Sequence, residues 1–157
     1  MKNDKFYYKD GTTSSKYNGA KILHRKGGPA VERASGDKEW CINDKFHRKD
    51  GPAVEYSNGD NFWYLNDKLH RKDGPAIEYA DGSREWWLNN KIHREDGPAV
   101  EYPNGSKGWF LNDKPLRTLT KKHLIKYMEV YNLTLAHLLT DSDEIVRASV
   151  IKYKWKR

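Results

Sequence analysis

One phrase returns every 23 residues, and a chain that repeats itself at that interval must build its fold from copies of a single small unit. His24, His47, His70 and His93 open HRKGGPAVE, HRKDGPAVE, HRKDGPAIE and HREDGPAVE. Trp40, Trp63, Trp86 and Trp109 keep the same interval. So do Asn43-Asp44, Asn66-Asp67, Asn89-Asn90 and Asn112-Asp113, and Gly36, Gly59, Gly82 and Gly105. Four copies in register define a structural repeat over residues 24–116.

The unit reads as β structure. Ala53-Val54-Glu55-Tyr56 alternates in the period of a half-buried strand, and Ser57-Asn58-Gly59-Asp60 is a turn signal. Phe62-Trp63-Tyr64-Leu65 is a second strand, rich in aromatics. Asn66-Asp67 suits the positive φ angles of a tight hairpin, and Lys68-Leu69-His70 follows as a short extended piece. Pro75 lacks an amide hydrogen, so Asp73-Gly74-Pro75 marks the end of that piece and the start of the next strand. Strands this short exclude a helical repeat. Residues 1–23 read as a degenerate N-terminal repeat, because Asp10-Gly11 and Asn18-Gly19 keep the spacing of Asn58 to Asn66.

This unit, with its aromatic strand, Asn-Asp turn, Lys-x-His pair and Tyr-x-Asn/Asp-Gly turn, resembles the MORN repeat. More closely, HRxDGPAxEYxDG…W resembles MORN-like repeat proteins of tailed phages and large viruses. The resemblance covers roughly residues 24–115. It implies an elongated antiparallel sheet of repeated β-hairpins that mediates protein contacts, with a host-directed, inhibitory role for a phage-type protein.

Beyond Leu116 the pattern changes. Residues 117–157 read as a basic α-helical segment, a small C-terminal cap on the array: Leu124, Ile125, Met128 and Tyr131 fall at helical spacing, and Asp141-Ser142-Asp143-Glu144 is a capping-type start. DSDEIVRASV resembles the second helix of a HEAT-type unit. A cap answers the unpaired edge that an open β array exposes.

Charge is uneven. Residues 1–23 hold five Lys/Arg against two Asp/Glu, residues 24–116 hold 15 against 16, and residues 117–157 hold nine against four. The net +7 therefore sits at the two ends, which argues against a basic nucleic-acid track along the repeats. Six Trp, ten Tyr and four Phe are too many large apolar groups for a disordered chain. No stretch has the ~18 consecutive apolar residues of a membrane span, and MKNDKFYYKDG lacks the apolar block of a signal peptide. With Cys41 alone there is neither an intramolecular disulfide nor a cysteine-based zinc site. The expectation is a cytoplasmic protein, in the host cell if viral.

The recurring polar residues read as structural. Histidines of successive hairpins lie about 9.5 Å apart, too far to share a metal whose ligands sit ~2 Å away; each is expected to bond within its turn. His-Arg-x-Asp recurs four times, whereas catalysis needs one asymmetric constellation in a pocket. No enzyme activity, metal or cofactor is expected. Arg25, Arg48, Arg71 and Arg94 have a partner row in Glu32, Glu55, Glu78 and Glu101. Alternation puts the four repeat Trp on one face, expected to be the core, and Cys41, Tyr64, Trp87 and Phe110 on the other. Tyr64, Trp87, Phe110, Arg48, Arg71 and Arg94 are the candidates for binding another protein. The alternative is an anionic ligand, a nucleotide or nucleic acid, held by Arg, His and aromatic rows and by Lys152, Lys154, Trp155, Lys156 and Arg157. Self-association through open β edges is a third possibility.

Overall fold

The computed structural model describes residues 3–115. Every regular element among them is a short β-strand. The first unit contributes β3 (Val31–Glu32), β4 (Lys38–Glu39), β5 (Cys41–Ile42) and β6 (Lys45–Phe46), after β1 (Lys5–Tyr7) and β2 (Thr13–Ser14). The next contributes β7 (Val54–Glu55), β8 (Asn61–Phe62), β9 (Tyr64–Leu65) and β10 (Lys68–Leu69). Then come β11 (Ile77–Glu78), β12 (Arg84–Glu85), β13 (Trp87–Leu88) and β14 (Lys91–Ile92). The last are β15 (Val100–Glu101), β16 (Lys107–Gly108), β17 (Phe110–Leu111) and β18 (Lys114–Pro115). The proposed C-terminal cap, residues 117–157, lies outside the described residues.

Each unit builds two hairpins. Its first two strands join an open ten-stranded antiparallel sheet in the order β16-β15-β12-β11-β8-β7-β4-β3-β1-β2. Its last two form a separate two-stranded hairpin, giving β5-β6, β9-β10, β13-β14 and β17-β18. The tryptophan is the corner between them. Trp63 N–H donates to the Ala76 carbonyl in the long sheet, and the Trp63 carbonyl accepts from His70 N–H in the hairpin. Trp40 and Trp86 repeat both bonds one unit away.

Asn66 and Asp67 take φ angles of 51° and 62°, and the other Asn-Asp and Asn-Asn pairs match them. Two successive positive φ angles define the type I′ turn, which suits the right-handed twist of a two-residue hairpin. The turns also stitch neighbouring units. Asp67 Oδ1 accepts from Phe46 N–H at 2.7 Å, and Asp67 N–H donates to the Phe46 carbonyl. Asp44, Asn90 and Asp113 do the same for Leu23, Leu69 and Ile92. The histidines belong to this stitching. His47 Nδ1 lies 2.9 Å from Asn66 Oδ1, and His24 and His70 reach Asn43 and Asn89. The bond expected within one turn thus runs from the end of one hairpin to the turn of the next.

A second staple joins the opposite loops. Asp37 Oδ1 accepts from Ser57 N–H, and Asp60 Oδ1 from Ala80 N–H. Asp4 serves Ala34 in the same way. At the next step the acceptor position is Ser83 and the donor position is Pro103, so loss of the acceptor coincides with a residue that has no N–H to donate.

The N-terminal partial unit is present, with its strands exchanged. Asp10-Gly11 forms the expected turn: Gly11 has φ 81° and its N–H donates to the Tyr8 carbonyl, as Gly59 does to Tyr56. In a regular unit the second strand of the hairpin faces the next unit. Here the first strand, β1, takes that place beside β3, and β2 lies at the outer edge. Tyr7 consequently occupies the corner filled elsewhere by tryptophan, donating to the Ala30 carbonyl and accepting from His24 N–H.

Register sorts the side chains. Directly opposed residues share a face, so Phe6, Val31, Glu39, Val54, Phe62, Ile77, Glu85, Val100 and Gly108 form one row across the sheet. Val31, Val54, Ile77 and Val100 are buried on this apolar side. The other row reads Lys5, Glu32, Lys38, Glu55, Asn61, Glu78, Arg84, Glu101 and Lys107. Charges alternate along it, with Asn61 neutral, and opposed pairs of this kind contribute about 0.2–1 kcal/mol each. Ala30, Ala53, Ala76 and Ala99 are fully buried (0% exposed).

The tryptophans fall on the charged side with Lys38 and Glu55, and they are half-buried. The expectation of a tryptophan core is therefore corrected. The row sharing the side of the buried valines is Cys41, Tyr64, Trp87 and Phe110. Phe110 lies against Gly108, and Trp87 Nε1 donates to Glu85, both two residues back on that side.

Cys41 is buried, and its thiol is pushed up to about 12, chiefly by burial, with Glu39, Asp67 and Asp44 adding to the effect. A protonated, enclosed thiol is a poor nucleophile. Iodoacetamide near neutral pH should leave Cys41 unmodified in the native chain and modify it in guanidinium, as read by mass spectrometry. Rapid native labelling would contradict the burial.

Candidate functional site

The phrase H-R-x-D-G-P-A-V-E is a clamp for one guanidinium. The Arg48 Cζ lies 4.0 Å from the centre of the Trp40 ring. Its Nη1 donates to the Pro52 carbonyl at 3.1 Å and to Glu55 Oε1 at 2.8 Å. Its Nε donates to Asp50 Oδ1 at 3.1 Å. The Gly51 backbone closes the remaining face: a Cβ built there would stand 2.7 Å from Cζ. Arg71 on Trp63 and Arg94 on Trp86 repeat the arrangement, and Arg25 uses Tyr7. Each Nη1 is anchored to a proline carbonyl and to Glu78, Glu101 or Glu32. The Arg and Glu rows are thus paired within the array. Arg48 holds the Asp50 carboxyl below its ordinary range, first through their hydrogen bond.

Three of the partner-binding candidates, Arg48, Arg71 and Arg94, consequently have their Nη1 edges committed to structure. The other three, Tyr64, Trp87 and Phe110, lie half-buried on the apolar side. Burial, then Tyr56 and Asp67, raises the Tyr64 hydroxyl pKa. Tyr64 packs against Phe46 of the preceding hairpin at 5.4 Å between ring centres. The tail candidates Lys152, Lys154, Trp155, Lys156 and Arg157 lie outside the described residues.

The structure adds a tyrosine row. Tyr56 and Tyr102 are 46% and 50% exposed, on the same side as Val54 and Val100 two residues before them. Phe62 sits between Tyr56 and Tyr79, edge-on to both at 5.6 and 6.0 Å. Tyr64, Trp87 and Phe110 extend this surface toward the hairpins. The 23-residue spacing of Tyr56, Tyr79 and Tyr102 was available in the sequence as a marker of this row.

On the charged side a cleft of about 640 Å³ opens between successive HRKDGP loops, with Trp63 and Leu65 in its lining. Among the described residues no group of three or more His, Cys, Asp or Glu is arranged to hold a metal ion. Among those residues, too, no helix is long and apolar enough to cross a membrane. In comparisons with known proteins, no family model matches the chain, and neither the curated proteins nor the solved structures include a match.

Proposed function

We propose that the chain is a non-enzymatic binding module, a MORN-like scaffold that presents its apolar side to another protein. The observation that carries this reading is the aromatic surface of Tyr56, Phe62 and Tyr79, with Tyr102, Trp87 and Phe110 beside it, about half exposed at Tyr56 and Tyr102. Rigid aromatic groups on a regular backbone supply contact area at low entropic cost and are frequent anchors of protein interfaces. The charged side has its arginines clamped and its carboxylates opposed, so it offers less free apolar surface. On this reading the basic C-terminal segment caps the array or joins the contact, and the phage-type resemblance points to a component of a bacterial host as the partner.

The test compares faces. Tagged protein and two variants, Tyr56→Asp/Tyr102→Asp and Lys68→Glu/Lys91→Glu, are incubated with bacterial lysate at equal concentration. A specific partner should be retained by the parent and the lysine variant and lost from the tyrosine variant. Equal retention by all three, or none above background, would overturn the reading.

A further inference from the structure

The arginine clamps differ at one edge. In Arg48 and Arg94 the Nε is taken by a loop carboxylate, Asp50 at 3.1 Å and Asp96 at 2.6 Å. In Arg71 the corresponding Asp73 oxygen stands 3.9 Å from Nε, beyond hydrogen-bond reach, and Asp73 is 90% exposed. Nη1 of Arg71 is bound to Pro75 and Glu78, one face of its guanidinium rests on Trp63, and Gly74 closes against it. The Nε and Nη2 edge forms no hydrogen bond among the described residues. That edge is a fixed two-donor fork, the geometry that takes a phosphate or carboxylate side-on.

Arg71 lines the cleft of about 640 Å³ with Arg48, Lys49, Trp63, His70 and Lys72. The volume falls in the range of small-molecule sites. Lys49 and Lys72 line the same cleft, as do Asp50 and Asp73, the competitors an anion must displace. The following loop breaks the chemistry: Glu95 replaces the lysine, its carboxylate lies 3.6 Å from His93 Nε2, and Asp96 occupies the Arg94 fork. Arg25 has Gly27 in place of the loop aspartate, yet no preceding HRKDGP loop exists to form a facing wall.

We propose that this cleft binds an organic phosphate of nucleotide size, its phosphate held side-on by Arg71 between Lys49 and Lys72 and its body against Trp63 and Leu65. This site is separate from the apolar side that carries the scaffold reading, so either can fail alone.

Isothermal titration of the full chain with adenosine monophosphate, adenosine and inorganic phosphate tests it. The expected result is saturable binding of one adenosine monophosphate per chain, tighter than either fragment. Lys72→Glu, which reproduces the residue at position 95, should weaken it about tenfold. Lys9→Glu, the same charge change in the N-terminal loop, should leave it within about twofold. Unchanged thermal unfolding of both variants confirms that they fold. No saturable binding, equal affinity for inorganic phosphate, or equal losses in Lys72→Glu and Lys9→Glu would overturn the proposal.

Discussion

Gly51→Ala is expected to destabilise the array by about 1–2 kcal/mol, the cost of displacing the Arg48 guanidinium from its clamp. Gly51 does not have a positive φ, so the backbone itself accepts alanine. The cost comes from position. The new methyl would lie 2.7 Å from Arg48 Cζ and 2.9 Å from both Nε and Nη2. The guanidinium cannot retreat toward Trp40, whose ring centre is already 4.0 Å away. It must leave the slot, giving up the ring contact, worth about 0.5–2 kcal/mol, and the bonds to Pro52 and Glu55. A proline carbonyl and a half-buried carboxylate then lose their partner. Gly28→Ala should cost less, because the nearest approach to Arg25 is 3.0 Å. Arg48→Ala in the Gly51→Ala background should add little, since the arginine has already been displaced; a fully additive double variant would refute the clamp. Chemical denaturation of the parent, Gly51→Ala, Arg48→Ala and the double variant closes the cycle, with Gly28→Ala measured beside it.

The clamp also explains what the sequence could and could not disclose. The strands, the tight Asn-Asp turns and the pairing of the Arg and Glu rows follow from local chemistry: alternation, positive φ and opposite charge within one phrase. Three features depend on relations between units, and a single phrase does not display them. The partner of His47 is Asn66, 19 residues ahead, because the bond crosses from one hairpin to the next. The tryptophan is a corner residue whose ring follows Lys38 to the charged side; alternation separates the two aromatic rows and leaves open which face is the core. The N-terminal hairpin has the turn its spacing announces, yet β1 and not β2 meets β3; hairpin spacing fixes which strands pair and leaves open which flank faces inward. Of the partner-binding candidates, Tyr64, Trp87 and Phe110 stand on the apolar side that the tyrosine row extends. Arg71 is distinguished from Arg48 by a carboxylate 3.9 Å away, a difference that their identical HRKD phrases conceal.

Substitutions at Asp67 separate backbone strain from stitching between units. Asp67 has φ 62°, its carboxylate accepts from Phe46 N–H at 2.7 Å, and it sits where the β5-β6 hairpin meets the β9-β10 hairpin. Asp67→Gly keeps the conformation and removes the acceptor; the expected loss is about 0.5–1.5 kcal/mol, the net contribution of one exposed hydrogen bond. Asp67→Ala removes the acceptor and also holds an alanine at positive φ, adding about 1 kcal/mol. The larger consequence is in cooperativity. In a stacked array the unfolding of one unit is coupled to its neighbours through interface bonds. Weakening this internal interface in Asp67→Ala should broaden the denaturation transition or split it, while Asn112→Gly at the last described hairpin should shift the midpoint and preserve the slope. Amide exchange supplies the local readout: Phe46 N–H should lose protection in both Asp67 variants, and Leu69 N–H, bonded to Asn90 Oδ1 at 2.7 Å, should keep it if the damage stays at one interface. Loss of protection at both amides together with an unbroadened transition would mean that the hairpins unfold as one block and that the turn bonds do not set their coupling.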